Sequence, residues 1–91
     1  MLERSPNKKH TKITFVVAAD HPAQQISVVG DFNNWQPGAH PLVVRTDGAR
    51  AVTLTLPREQ RYSFRYLAHG DNWFDDDHAD GHDGHNSVLH T

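Results

Sequence analysis

What most constrains this chain is a two-residue rhythm of apolar side chains that returns several times and never gives way to helical spacing. Across residues 61–69, Tyr62, Phe64 and Tyr66 fall on one side and Ser63, Arg65 and Leu67 on the other. Residues 11–19 set Ile13, Phe15 and Val17 against Lys12, Thr14 and Val16, and residues 51–57 set Val52, Leu54 and Leu56 against Thr53 and Thr55. Extended backbone turns successive side chains to opposite faces, so each segment reads as a half-buried strand. Shorter candidates are residues 25–29, with Ile26 and Val28 inward, 41–45 and 86–90. Turn signals separate them: Asp20-His21-Pro22, Asp47-Gly48 and His69-Gly70-Asp71-Asn72. About seven short antiparallel strands at this spacing predict an all-β sandwich, with Tyr62, Phe64 and Tyr66 in its core.

At 91 residues the chain makes one domain, drawn here as a flexible tail over residues 1–10 and a single sandwich over 11–91. A chain of this size buries little more than about 60% of its unfolded surface, which leaves room for a shallow surface site rather than an enclosed catalytic pocket. There is no cysteine, which excludes disulfides, thiolate metal sites and cysteine nucleophiles. The opening MLERSPNKKHTK carries no apolar run of the kind a signal peptide needs, and no stretch approaches the roughly 20 apolar residues that cross a bilayer. These features set the expectation of a soluble, cytoplasmic protein without a membrane partner. The formal charge of −2 gives no electrostatic reason to expect nucleic acid.

Residues 28–42, VVGDFNNWQPGAHPL, carry the functional signal. A strand breaks at Gly30, and Asp31, Asn33 and Asn34 follow as residues that bond to nearby backbone and tolerate left-handed turns. Phe32 and Trp35 lie three apart in this turn, so one ring can enter the core while the other faces outward; Phe32 is assigned inward and Trp35 outward. An indole held on a turn beside Asn amides offers an apolar face with polar groups at its rim. That surface suits a sugar ring, which is apolar on its faces and polar at its edges.

In their order and spacing, DFNNW, PL, DG, LPxxxxYxFRYLxxG, a following Trp and a late NSV resemble carbohydrate-binding module family 48. This is the isoamylase-type N-terminal domain, which includes the glycogen-binding domain of the AMP-activated protein kinase beta subunit. The resemblance covers residues 11–90. It implies an immunoglobulin-like early-set sandwich that binds α-1,4-glucan such as glycogen, starch or maltooligosaccharide without catalysis. It also implies that Trp35 and Trp73 stack on glucose rings and that Arg65 and Asn86 bond to their hydroxyls. From the residues themselves Asn33 and Asn34 read as turn formers, with Asn34 also a rim contact. Arg65 occupies a position that is usually Lys in kinase members, and His69 one where many members carry Asp. Residues 81–85 lack the apolar side chain that kinase members project through a cyclic oligosaccharide, which implies a more open site. A glycogen-metabolising enzyme or another protein chain is the implied partner class.

Residues 75–85, DDDHADGHDGH, hold Ala79 as their one apolar side chain and read as a solvated loop. Their carboxylates and imidazoles are metal-ligand types, but no calcium-loop spacing is present, and neither a metal nor a cofactor is assigned. Glycoside hydrolysis needs two carboxyls held across a cleft, whereas these are crowded into one loop, so no catalytic residue is assigned. The alternative reading is a protein-interaction or scaffold domain of the same fold whose sugar site has degenerated.

Overall fold

A computed structural model describes residues 1–21, 25–68 and 72–91. Its strands are β1 (Leu2–Pro6), β2 (His10–Val17), β3 (Ile26–Gly30), β4 (Val43–Val44), β5 (Arg50–Pro57), β6 (Arg61–Ala68), β7 (Asn72–Phe74), β8 (Gly81–His82) and β9 (Ser87–His90). A single turn of 3-10 helix, Asp31–Asn33, follows β3. Two antiparallel sheets form the immunoglobulin-like sandwich. One runs β1-β2-β5-β4 and the other β3-β6-β9-β8, with β7 also on β6. The alternating segments all become strands, shifted by a residue or two at their ends.

The inward sets meet between the sheets. Ile13, Phe15 and Val17 from β2 join Val28, Phe64, Tyr66 and Leu89 from the other sheet, all of them buried. The ring of Phe15 lies 5.2 Å from that of Phe64, edge to face, and 5.4 Å from Phe32. Burying one such side chain contributes about 1.5–3 kcal/mol, so these few rings and β-branched residues carry much of the fold. Phe32 packs against this core as assigned, while Tyr62, Val52 and Leu54 reach it only in part.

β6 lies at the centre of the second sheet. β3 pairs along one edge of it, whereas the other edge is shared by β9 against Arg61–Phe64 and β7 against Tyr66–Ala68. After the 3-10 turn the chain returns along the free edge of β3. Val28 N–H donates to His40 at 3.0 Å, Leu42 N–H to Ile26 at 2.8 Å, and Pro41 bridges Ser27. It then crosses to the first sheet as β4.

The structure departs from the sequence reading in three places. Residues 1–10, expected as a flexible tail, contribute β1, which pairs with β2 from Leu2↔Phe15 to Pro6↔Thr11. An exposed edge strand needs no apolar alternation, and this one is held by its ladder, by Arg4 with Asp80 and by Glu3 with Arg45 at 3.0 Å. Residues 75–85 are not wholly solvated: Asp76 is 2% exposed, and β8 forms within the segment. The cause is Tyr66, whose buried hydroxyl requires an acceptor and donates to Asp76 at 2.7 Å. Val16, on the polar side of its strand, is buried with Ala49 and Ala51 in a small cluster of its own. The expected turns at Asp20-His21-Pro22 and His69-Gly70-Asp71-Asn72 lie partly outside the described residues, as does His69.

Candidate functional site

Phe64 and Tyr66 point into the core, so Ser63, Arg65 and Leu67 must project from the outer face of the same strand. These three span roughly 13 Å along β6 at about 3.3 Å per residue. Register then fixes their neighbours. Leu67 faces Trp73 on β7, and Arg65 faces Val29 on β3. Extending the β6–β9 ladder by one residue beyond Phe64↔Ser87 sets Asn86 beside Arg65. Trp73 is 38% exposed, an uncommon state for so large an apolar ring.

Trp35 reaches the other end of this row through hydrogen bonds. Its indole N–H donates to Asp31 at 2.9 Å, and the second carboxylate oxygen of Asp31 accepts the backbone N–H of Ser63 at 2.8 Å. The backbone of the turn is itself unusual. Asn34 has φ +55° and ψ +32°, and Trp35 has φ +55°. A left-handed Asn is common, but a left-handed Trp costs about 1–3 kcal/mol and persists only where its surroundings enforce it. Here the Trp35 N–H is held by the Gly30 carbonyl at 2.9 Å, and Asn33 ties the turn down. Asn33 accepts the Gly30 N–H at 3.0 Å and donates to the Val28 carbonyl at 3.0 Å.

Gly30 is required by proximity rather than by φ. A β-carbon there would lie 2.5 Å from the Ser63 carbonyl oxygen and 2.8 Å from Phe64 Cβ. Only glycine lets β3 approach β6 closely enough for Asp31 to reach Ser63.

Three aspartates lace the row together. Besides Asp31, Asp83 accepts the Ser63 hydroxyl at 3.2 Å and the Asn86 N–H at 2.8 Å. The N–H groups of Asn86 and His85 hold the Asp83 carboxyl below its ordinary value. Asp75 accepts Arg65 Nε at 3.1 Å and the Ser87 hydroxyl at 3.3 Å. Beneath the row, burial pushes the Asp76 carboxyl up. The Met1 ammonium at 2.7 Å, the Tyr66 hydroxyl and the His78 N–H outweigh this and leave it below the usual carboxylate range. Burial and the neighbouring Asp76 charge push the Tyr66 phenol far up, so it remains a donor.

Of the site residues read from sequence, Trp35, Arg65, Trp73 and Asn86 are thus linked to one face of one sheet through register and hydrogen bonds. Asn34 is exposed at the edge of the turn and gives it its left-handed step. Sequence reasoning missed Asp31, Asp75 and Asp83 as the groups that hold this row. The DGHN pattern at residues 83–86 is an Asx-turn signature and could have revealed Asp83. Nothing local distinguishes Asp75 from its neighbours. Among the described residues no three His, Asp or Glu side chains gather as a metal ion would need, and no helix is long and apolar enough to cross a membrane.

The profile of carbohydrate-binding module 48, the isoamylase N-terminal domain, matches residues 2–86. A 1,4-alpha-glucan branching enzyme of Xanthomonas campestris pv. campestris strain 8004 is 44% identical over 58 residues, covering 60% of this chain and 8% of the enzyme. The corresponding enzyme of strain ATCC 33913 of the same pathovar matches to the same extent. The chain therefore spans only a small part of the length of these relatives.

Proposed function

This chain belongs to the carbohydrate-binding module 48 family, and from that premise we propose that it binds α-1,4-glucan on the outer face of β6 without catalysing its turnover. The observation that carries the reading is the row itself: two indoles at its ends, with a guanidinium and a side-chain amide in register between them. Trp35 and Trp73 offer their faces to the CH-rich faces of glucose rings, while Arg65 and Asn86 bond to hydroxyls at the ring edges. Asn34 supplies a further amide at the rim. The hydrogen bonds that fix Trp35 and Arg65 before ligand arrives reduce the ordering cost of binding. An open face of this size gives affinities on the order of micromolar to millimolar. The α-1,4 linkage is supported by the similarity to 1,4-alpha-glucan branching enzymes. In these relatives the matching segment is part of a glucan-branching enzyme, which supports a glycogen-metabolising enzyme as the partner class.

A second reading, an interaction domain whose sugar site has degenerated, is favoured by β4. Its Val43 and Val44 are 64% and 70% exposed at the edge of the first sheet. Titration with maltoheptaose separates the two. Saturable binding that Trp35→Ala and Trp73→Ala both abolish in folded protein supports the glucan reading. A folded wild type that ignores millimolar maltoheptaose overturns it.

A further inference from the structure

The charge on this face is mostly negative. Asp31, Asp75 and Asp83 each present a carboxylate along the row, against Arg65 and the exposed Arg61 at the start of β6. Arg65 is not a free cation, because its Nε is committed to Asp75. A guanidinium already matched by a carboxylate at hydrogen-bond distance attracts a second anion weakly.

We propose that the face selects neutral glucan and rejects glucan that carries phosphate, and that Asp75 sets this selectivity by positioning and neutralising Arg65. The inference rests on the glucan reading above. A sugar hydroxyl both donates and accepts, so it can bond to the remaining guanidinium N–H groups and to a carboxylate oxygen alike. A phosphate monoester at neutral pH carries about −1.5 to −2 and offers the carboxylates no reliable donor. Beyond the Arg65–Asp75 pair it meets the carboxylates of Asp31 and Asp83, and the second cation, Arg61, already lies where its charge acts on Asp83. Asp75 acts through Arg65, whose Nε it accepts at 3.1 Å, as a positioning residue.

The test is calorimetric titration at about pH 7.5, where unperturbed histidine is neutral. The sugars are maltoheptaose and maltoheptaose phosphorylated at C6 of its internal glucose units. Wild type binds the phosphorylated sugar at least about fivefold more weakly, and added salt narrows the gap as screening predicts. Asp75→Asn, which keeps the shape of the side chain, closes or inverts the gap, an effect that simple steric exclusion of phosphate would not give. Should Asp75→Asn fail to fold, the salt dependence of the wild-type gap decides. Equal affinities in wild type, a gap insensitive to salt, or an unchanged gap in folded Asp75→Asn overturns the proposal while leaving the glucan reading intact. If folded wild type binds neither sugar, both fall.

Discussion

Gly30→Ala tests how the site is built, because one added methyl group meets atoms that cannot move aside. Its β-carbon would stand 2.5 Å from the Ser63 carbonyl oxygen, 2.8 Å from Phe64 Cβ and 3.0 Å from a Phe32 ring carbon. Two of these belong to the central strand at or next to its backbone, so relief requires β3 to separate from β6 by several tenths of an ångström. Overpacking of this kind costs about 1–3 kcal/mol. The shift also strains hydrogen bonds that depend on the same approach: Trp35 N–H to Gly30 and Ser63 N–H to Asp31, each contributing about 0.5–1.5 kcal/mol. A total near 3 kcal/mol is a large share of the roughly 5–10 kcal/mol that a domain of this size has. It corresponds to a fall in Tm of roughly 12–24 °C. Gly81→Ala is the control, since its added carbon meets nothing within 4 Å and its backbone is not left-handed. That substitution should stay within about 0.5 kcal/mol. Urea and thermal melts read the difference, and maltoheptaose titration of the surviving folded protein reads displacement of Trp35. A Gly30→Ala protein within about 1 kcal/mol of wild type, or no less stable than Gly81→Ala, refutes the claim that close strand approach holds the turn.

Other expectations concern the aromatic rings and the buried carboxylate. Trp35→Gly removes a ring from a left-handed position and so relieves about 1–3 kcal/mol of backbone strain. Stability should change little while maltoheptaose affinity is lost; parallel loss of both would show Trp35 to be chiefly a packing residue. Trp73→Ala removes a ring that is only 38% exposed, so it should cost about 1–2 kcal/mol in chemical melts and abolish binding by the protein that stays folded. Because its carboxyl titrates below its ordinary value, Asp76 contributes stability that is complete above its unfolded pKa of about 3.9 and is lost as pH falls through the lowered folded value. Acid melts of wild type should therefore steepen below about pH 4, and Asp76→Asn should flatten that region. Removing the acceptor outright with Asp76→Ala leaves the Tyr66 hydroxyl buried and unpaired, for a loss of about 1–3 kcal/mol at neutral pH. An unchanged midpoint in urea would contradict that assignment.

The strands were legible in the sequence wherever one face had to be apolar and the other did not. For β2, β5 and β6 the period of two follows from the pleat alone, and of the aromatic stripe Phe64 and Tyr66 went to the core as that period requires while Tyr62 is covered only in part. The Asp-Phe-Asn-Asn-Trp turn was legible for the same local reason, since its residues bond to their own backbone. β1 was not, because an exposed edge strand is ordered by its ladder and by ion pairs to residues far along the chain, and none of that leaves a pattern in LERSP. Nor could composition separate Asp75 and Asp76 from the acids around them. Which one is buried under Tyr66 and which one holds Arg65 depends on where β7 ends against β6 and how β9 returns beside it. Local preference is a property of neighbouring residues, and sequence carries it. The pairing of a carboxylate with a guanidinium or a phenol ten residues away is decided only when the strands close on one another, and it is that closure which makes a row of separate side chains into one face.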